Sequence, residues 1–339
     1  MARLVLGLAV LVCFTAAEDA CAVRLEVRGS DFLLDGKRTF LLGASYYAGL
    51  GASDADLRRD LADLRKHGFN WIRVWATWSA YGKDVSAVNP DGSAREPYLS
   101  RLKRLVAEAN RLGIVVDVTL SRGKSLPNQA AHLRAVELIA RELRRFRNVY
   151  LDLANERNVG DDRYVSFEEL AELLQHAKRA NANLPITASQ GGDISRDELR
   201  RYLQTVQVDF ITPHRPRGPA SPGETEAKTR EYLAVMKEIG RVVPVHYQEP
   251  FRVGYPFDGR APTAEDFLTD LRGAVRGGAA GWCFHNGGKR GQPDERPRAS
   301  FDLSEGRLFD QLDDVEKQVV RRAAETAAQA QRDAPLKKG

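Results

Sequence analysis

Short apolar runs rich in Val, Ile and Phe alternate along the chain with longer segments whose apolar positions recur at helical spacing. The runs begin near Phe40, Asn70, Ile114, Val149, Pro185, Val208, Val243 and Ala280, about 34 residues apart on average, close to the ~30 residues or more of a βαβ unit. Between them Ser53 caps a helix predicted over 54–67, which stops at Gly68. A second is predicted over 98–112, ending at Gly113, and others over 130–146, 167–180, 224–239 and 264–275. Eight strand-then-helix units predict an α/β fold, a closed parallel (β/α)8 TIM barrel. An open doubly wound sheet alternates too, but often places a glycine-rich phosphate turn after its first strand, and Gly43-Ala44-Ser45-Tyr46-Tyr47 offers none. Ahead of the first strand, 24–27 and 32–34 flank turns at Arg28-Gly29-Ser30 and Asp35-Gly36, a pattern that predicts a β-hairpin closing the barrel floor. After the eighth, 309–331 predicts a final helix packed outside.

The apolar stretch Leu4 to Phe14 is too short for the ~20 residues that span a bilayer. With Arg3 before it and Ala20-Cys21-Ala22 behind, it matches a secretory signal, with Thr15-Ala16-Ala17 as a second cleavage site. The expected organisation is a signal over 1–22, a barrel over 23–331 and a basic tail over 332–339, in a secreted or periplasmic protein without a stable membrane anchor. A composition of 43% hydrophobic and 29% charged residues is that of a chain that folds around a core rather than a disordered or membrane-spanning one. The net charge of +5 owes much to Arg321, Arg322, Arg332, Lys337 and Lys338 near the end. Elsewhere both signs mix, which argues against a nucleic-acid partner. Cleavage after Ala22 leaves Cys283 as the lone cysteine, so no disulfide is expected, and the chain is expected to be a monomer.

In such a barrel, chemistry sits where each strand turns polar at its C-terminal end. Asn155-Glu156 ends the fourth run and Glu249 the seventh, three repeat units apart, so the two carboxylates are expected to face each other across the mouth. Aromatic residues gather at the same level: Tyr46 and Tyr47, Trp75 and Trp78, Tyr247 and Trp282. Rings of this kind stack on the apolar C–H faces of sugars, whereas Trp71, deeper in its strand, is expected in the core.

The hairpin Phe32-Leu33-Leu34-Asp35-Gly36-Lys37, the run Phe69-Asn70-Trp71-Ile72-Arg73, Asn155-Glu156, Glu249 and Gly281-Trp282 together resemble the clan-A glycoside hydrolases, closest to the cellulase and mannanase (family 5-like) superfamily. The resemblance covers nearly all of the chain after the signal. It implies retaining hydrolysis of a β-linked oligo- or polysaccharide without a cofactor or metal, Glu156 serving as acid/base and Glu249 as nucleophile. It also implies Arg73 beside Glu249, Asn155 on the sugar 2-hydroxyl, His214 at the end of strand six, and Trp282 flooring the subsite next to the cleaved bond; Tyr46, Trp75 and Tyr247 are taken as further substrate contacts. A guanidinium beside Glu249 would keep it ionised while Glu156 keeps a higher pKa, and replacing Arg73 by Ala is expected to abolish activity with the fold largely intact.

Three departures from that pattern stand out. Arg157 follows Asn155-Glu156 where many relatives have Pro. Strand three ends Ser121-Arg122 without a histidine. The strand-six pattern His-any-Tyr reads His214-Arg215-Pro216, leaving Tyr247 or Tyr255 to replace the missing tyrosine. Two rivals follow from the residues. A non-catalytic carbohydrate-binding barrel is favoured by that missing tyrosine. A metal-dependent hydrolase could draw on His214, His246 and His285 with Glu156, but the first strand lacks the His-any-His pair that such barrels commonly show. A phosphate-binding barrel has only Gly287-Gly288 to support it.

Overall fold

The structure, a computed structural model, describes residues 23–80, 82–251, 262–285 and 301–333; the expected signal, most of the basic tail, Tyr255 and Gly287-Gly288 lie outside them. The chain opens with an antiparallel sheet of β1 (Leu25–Arg28), β2 (Asp31–Leu34) and β3 (Lys37–Thr39). A third strand joins the two that were expected, because Asp35 and Gly36 both adopt positive φ (51° and 76°), the backbone that a tight two-residue hairpin needs. Phe32 of β2 is fully buried, packs edge-on against the rings of Phe210 and His246, and shares a cluster with Leu41, Trp71 and Val115.

Eight parallel segments follow. β4 (Leu41–Ser45), β5 (Trp71–Trp75), β8 (Val115–Thr119), β9 (Val149–Asp152), β10 (Ile186–Thr187), β13 (His246–Tyr247) and β14 (Gly281–Phe284) form a curled seven-stranded sheet in the order β10-β9-β8-β5-β4-β14-β13. The small antiparallel pair β6 (Ser79–Ala80) and β7 (Lys83–Asp84) follows β5. β11 (Ser189–Gly191), separated from β10 by Ala188 alone, pairs in parallel with β12 (Thr212–His214), and Ile211 bridges to Val245 just ahead of β13. The sixth strand starts at Thr212 rather than near Val208. Asp209 accepts from the Ile186 amide (2.7 Å) and from Lys178 (2.8 Å), so a side chain takes the place of a ladder carbonyl there.

Side chains alternate between the two faces of each strand. Trp71, Arg73, Asp117, Tyr150 and His246 turn to the inside of the sheet, where they contact one another. Two glycines keep room for them. A Cβ on Gly43 would lie 1.7 Å from the Trp71 ring, and one on Gly281 would lie 2.2 Å from His246 Nδ1.

The outer layer is helical: α1 (Asp54–Lys66), α2 (Tyr98–Arg111), α3 (Gln129–Glu142), α4 (Phe167–Ala180), α5 (Arg196–Arg200), α6 (Ser221–Ile239), α7 (Ala264–Gly277) and α8 (Asp314–Asp333). Caps define their starts: Ser53 accepts from the Asp56 amide, and Ser166 with Glu169 forms a capping box. α5, which the strand-to-helix pattern did not predict, has its own capping box of Ser195 and Glu198 and passes into one π-helical turn over Arg201–Val206. α8 starts five residues later than expected because Asp313 and Glu316 exchange backbone and side-chain hydrogen bonds there, both at 2.8 Å. No helix among the described residues is long and apolar enough to cross a membrane.

Candidate active site

Glu156 follows β9 in the left-handed region (φ 45°), a strained backbone for a residue with a Cβ. Its amide donates to Ser189 Oγ at 3.0 Å, which ties the turn to the neighbouring strand. Glu249 follows β13 and is buried. His214, closing β12, stands between the carboxylates, its Nδ1 3.2 Å from Glu156 Oε1 and 3.6 Å from Glu249 Oε2. One donor atom from each of these three residues lies within 4.8 Å of the other two. The spacing would suit a cation, but Glu249 already takes guanidinium groups on both oxygens, and their charge opposes one. His246 is not part of the group: it is buried deeper, with Nε2 2.9 Å from the Tyr150 hydroxyl.

Arg73 lies at the centre of the floor with no exposure. Its Nη1 donates to Glu249 Oε1 (2.5 Å) and the Tyr47 hydroxyl (3.2 Å), its Nη2 to Asp152 (3.0 Å) and Asn155 Oδ1 (2.9 Å). Its Nε donates to Thr119 Oγ1 (3.1 Å) and lies 3.2 Å from Asp117. Tyr47 donates to Glu249 Oε1 at 2.8 Å. Burial and then the Glu249 charge push the Tyr47 phenol upward, so it stays a proton donor. On the outer side Arg217 donates to Glu249 Oε2 at 2.9 Å, and His285 Nε2 lies 3.4 Å from the same oxygen.

Burial by itself would raise the Glu249 carboxyl, but His214, His285, Arg73 and Arg217 together outweigh it and hold Glu249 well below the usual carboxylate range. At Glu156 burial again raises the carboxyl and the hydrogen bond from His214 lowers it; the Glu249 charge pushes up, and the net direction is down. Glu156 is thus itself lowered in the free site, through a His214 contact that was not foreseen. The fall is the deeper at Glu249, so the expected order of the pair holds. Arg163 adds a longer contact to Glu156, 3.4 Å from Oε2.

The structure brings Arg73, Asn155, Glu156, His214 and Glu249 together. Trp75 joins them as part of an aromatic wall: Tyr47, Trp75 and Trp78 have ring centroids 5.2–5.4 Å apart. Three expected substrate contacts are corrected, since their side chains point outward, between strand and helix. Tyr46 donates to Asp60 of α1 (3.0 Å), Tyr247 is 2.7 Å from Thr229 of α6, and the Trp282 indole donates to Asp270 of α7 (2.6 Å). Tyr247 thus does not replace the missing strand-six tyrosine. Alternation along the strands divides them into two sets, and the register between strands shows which set is inward: the series 71-73-75 on β5 has its counterparts in Ser45 and Tyr47 on the first strand and in Cys283 and His285 on the last. Arg217 and Arg163 sit on loops, where no periodicity points to them.

No family model and no curated protein sequence matches the chain. Solved structures do match in fold. The endo-1,4-β-mannanase from Rhizomucor miehei superposes with a TM-score of 0.64 at 15% identity, over 90% of this chain and 99% of that one. A glycoside hydrolase family 5 mannosidase from the same organism gives 0.63 at 13%, over 92% and 99%. The endo-β-1,4-mannanase from Thermotoga petrophila gives 0.60 at 16%, over 90% and 79%. The chain therefore has the fold of the clan-A cellulase and mannanase-like glycoside hydrolases.

Proposed function

We propose that this chain is a retaining glycoside hydrolase that cleaves a β-linked oligo- or polysaccharide at the mouth of a (β/α)8 barrel, exported by its first 22 residues. The observation that carries the reading is the pair of carboxylates, Glu156 and Glu249, with His214 between them and oxygens within 4.8 Å. Retaining enzymes hold their two carboxyl groups ~5–5.5 Å apart, whereas inverting ones leave room for a water at ~6.5–9.5 Å. The mannanases and mannosidase that share the fold make a β-mannoside the first substrate class to try.

Glu249, ionised and bound by Arg73 and Tyr47 through Oε1, attacks the anomeric carbon with Oε2. Glu156 protonates the departing oxygen. Once the glycosyl-enzyme forms, the Glu249 charge is gone, and with it the contribution that pushed the Glu156 carboxyl upward; Glu156 is then better suited to take a proton from water. Asn155, its Oδ1 fixed by Arg73, turns its amide nitrogen to the sugar 2-hydroxyl, and Tyr47, Trp75 and Trp78 supply the stacking wall.

The test separates the carboxylates. With a 2,4-dinitrophenyl β-mannoside or β-glucoside, Glu156→Ala should still form the glycosyl-enzyme and be rescued by azide to a glycosyl azide of retained configuration. Glu249→Ala should show no such rescue, and a 2-deoxy-2-fluoro glycoside should label Glu249 in the parent. Label on Glu156 would reverse the roles. Sugar binding without any turnover by the parent would make the chain a carbohydrate-binding barrel instead.

A further inference from the structure

The two oxygens of Glu249 have different surroundings. Oε1 faces the floor, where Arg73 and Tyr47 hold it at 2.5 and 2.8 Å. Oε2 faces the mouth, 3.6 Å from His214 and 3.4 Å from His285, and accepts from Arg217 Nη2 at 2.9 Å. Arg217 is itself anchored to the segment it serves: its Nε donates to the Pro250 carbonyl (2.9 Å) and its Nη2 also reaches the Glu249 carbonyl (3.3 Å). Its side chain is only 10% exposed. The guanidinium is therefore held in register with Oε2.

We infer that Arg217 is a positioning residue for the second half of the double displacement, favouring breakdown of the glycosyl-enzyme over its formation. The inference rests on the proposed hydrolase reading. In the first half, Oε2 gives an electron pair to the anomeric carbon as the glycosidic bond breaks and the proton of Glu156 goes to the leaving oxygen. Charge drains from Oε2, and the contact with Arg217 weakens. In the second half, water bonds to the anomeric carbon, its proton goes to Glu156, and the bond to Oε2 breaks with the electron pair returning to that oxygen. Charge grows beside a guanidinium already in place. An interaction that strengthens toward a transition state lowers that barrier, and one that weakens raises it. Arg73 and Tyr47, on Oε1, feel the same change less, because that oxygen loses charge too but remains a carbonyl acceptor in the ester, whereas Oε2 becomes the poorly accepting bridging oxygen.

Arg217 is one of several groups facing Glu249. Tyr47 follows β4, Arg73 lies on β5, Glu156 follows β9, His214 closes β12, and Cys283 and His285 belong to and follow β14. Those groups remain in a variant at 217, so a change measured there reports Arg217 alone.

The experiment uses the full chain, Arg217→Gln and Arg217→Lys, and a 2,4-dinitrophenyl glycoside that the parent hydrolyses. For Arg217→Gln the expected result is a pre-steady-state burst of dinitrophenolate, with kcat falling by about tenfold or more and KM falling at least as far, so that kcat/KM at its optimum does not drop, as the intermediate accumulates. The acid limb of kcat/KM should move to higher pH, because the nucleophile must be ionised and has lost a neighbouring cation. Arg217→Lys should restore most of kcat and the original limb, and it serves as the reference if the Gln variant does not fold. A folded Gln variant with no burst and an unmoved acid limb would overturn the role of Arg217 alone, as would a Lys variant that folds but behaves like Gln. A parent that hydrolyses no aryl glycoside removes the hydrolase reading and this inference with it.

Discussion

Arg73 shows how a single residue can meet the contact its motif suggests, beside Glu249, and take on a further one. It was expected to contact substrate and nucleophile and to be dispensable for folding. It also has no exposed surface and lies in contact with the carboxyl groups of Asp117, Asp152 and Glu249 at once. Breaking a buried ion pair by removing one partner leaves the other charge without compensation, typically at a cost of ~3–5 kcal/mol. Arg73→Met should therefore abolish activity and also lower stability by about that amount, read from urea unfolding midpoints. A variant as stable as the parent would show that the three carboxylates protonate readily and do not depend on the guanidinium. Glu156 and Glu249 were legible because each ends an apolar run in a carboxylate. The partners that set their charge, His214 and Arg217, come from another strand end and a loop, and only the folded chain brings them within reach.

At the scale of the element, strand parity decides what an aromatic residue does. Trp282 carries the family resemblance, yet it alternates with Gly281 and Cys283, which line the inside, so its indole is directed to α7. There Asp270 accepts from Trp282 Nε1 and from the Thr225 hydroxyl. Trp282→Phe should lower stability by about 1–3 kcal/mol, the cost of leaving a buried acceptor short of a donor, with KM for an aryl glycoside nearly unchanged. A marked rise in KM at unchanged stability would restore Trp282 to the sugar subsite. Helix positions were legible to within a few residues wherever a cap and a glycine bracketed the pattern, as from Ser53 to Gly68. α5 escaped because it and its π-helical turn are squeezed into the short stretch between the fifth and sixth strands.

For the molecule as a whole, the buried titratable groups set opposite limits on stability. Burial lowers His132 to about 4 and His246 to about 3. Both are neutral when folded but bind protons when unfolded below ~6.5, so stability falls as pH drops through that range. Asp117 behaves in the opposite sense. Burial raises it to about 8, against a lowering by Arg73, so its contribution is full below the unfolded value near 4 and is lost as pH rises toward 8. Between about 6.5 and about 8, Asp117 acts without the histidines. The parent Tm should fall over that interval and the Asp117→Asn Tm should fall less; parallel curves from thermal unfolding at pH 6.5 and 8.5 would contradict this.

Local pattern by itself placed the eight strands to within a few residues, most of the helices with their caps, and the two carboxylates at strand ends, because each is written in periodicity, capping residues or a change of polarity over a few neighbouring residues. Tertiary structure alone decided which face each strand turns inward, that Tyr47 rather than Tyr46 meets Glu249, and that Arg217 caps its outer oxygen. A period of two marks two faces without saying which is inside, and the charge on a buried carboxylate depends on groups that are distant in sequence and meet only when the sheet curls.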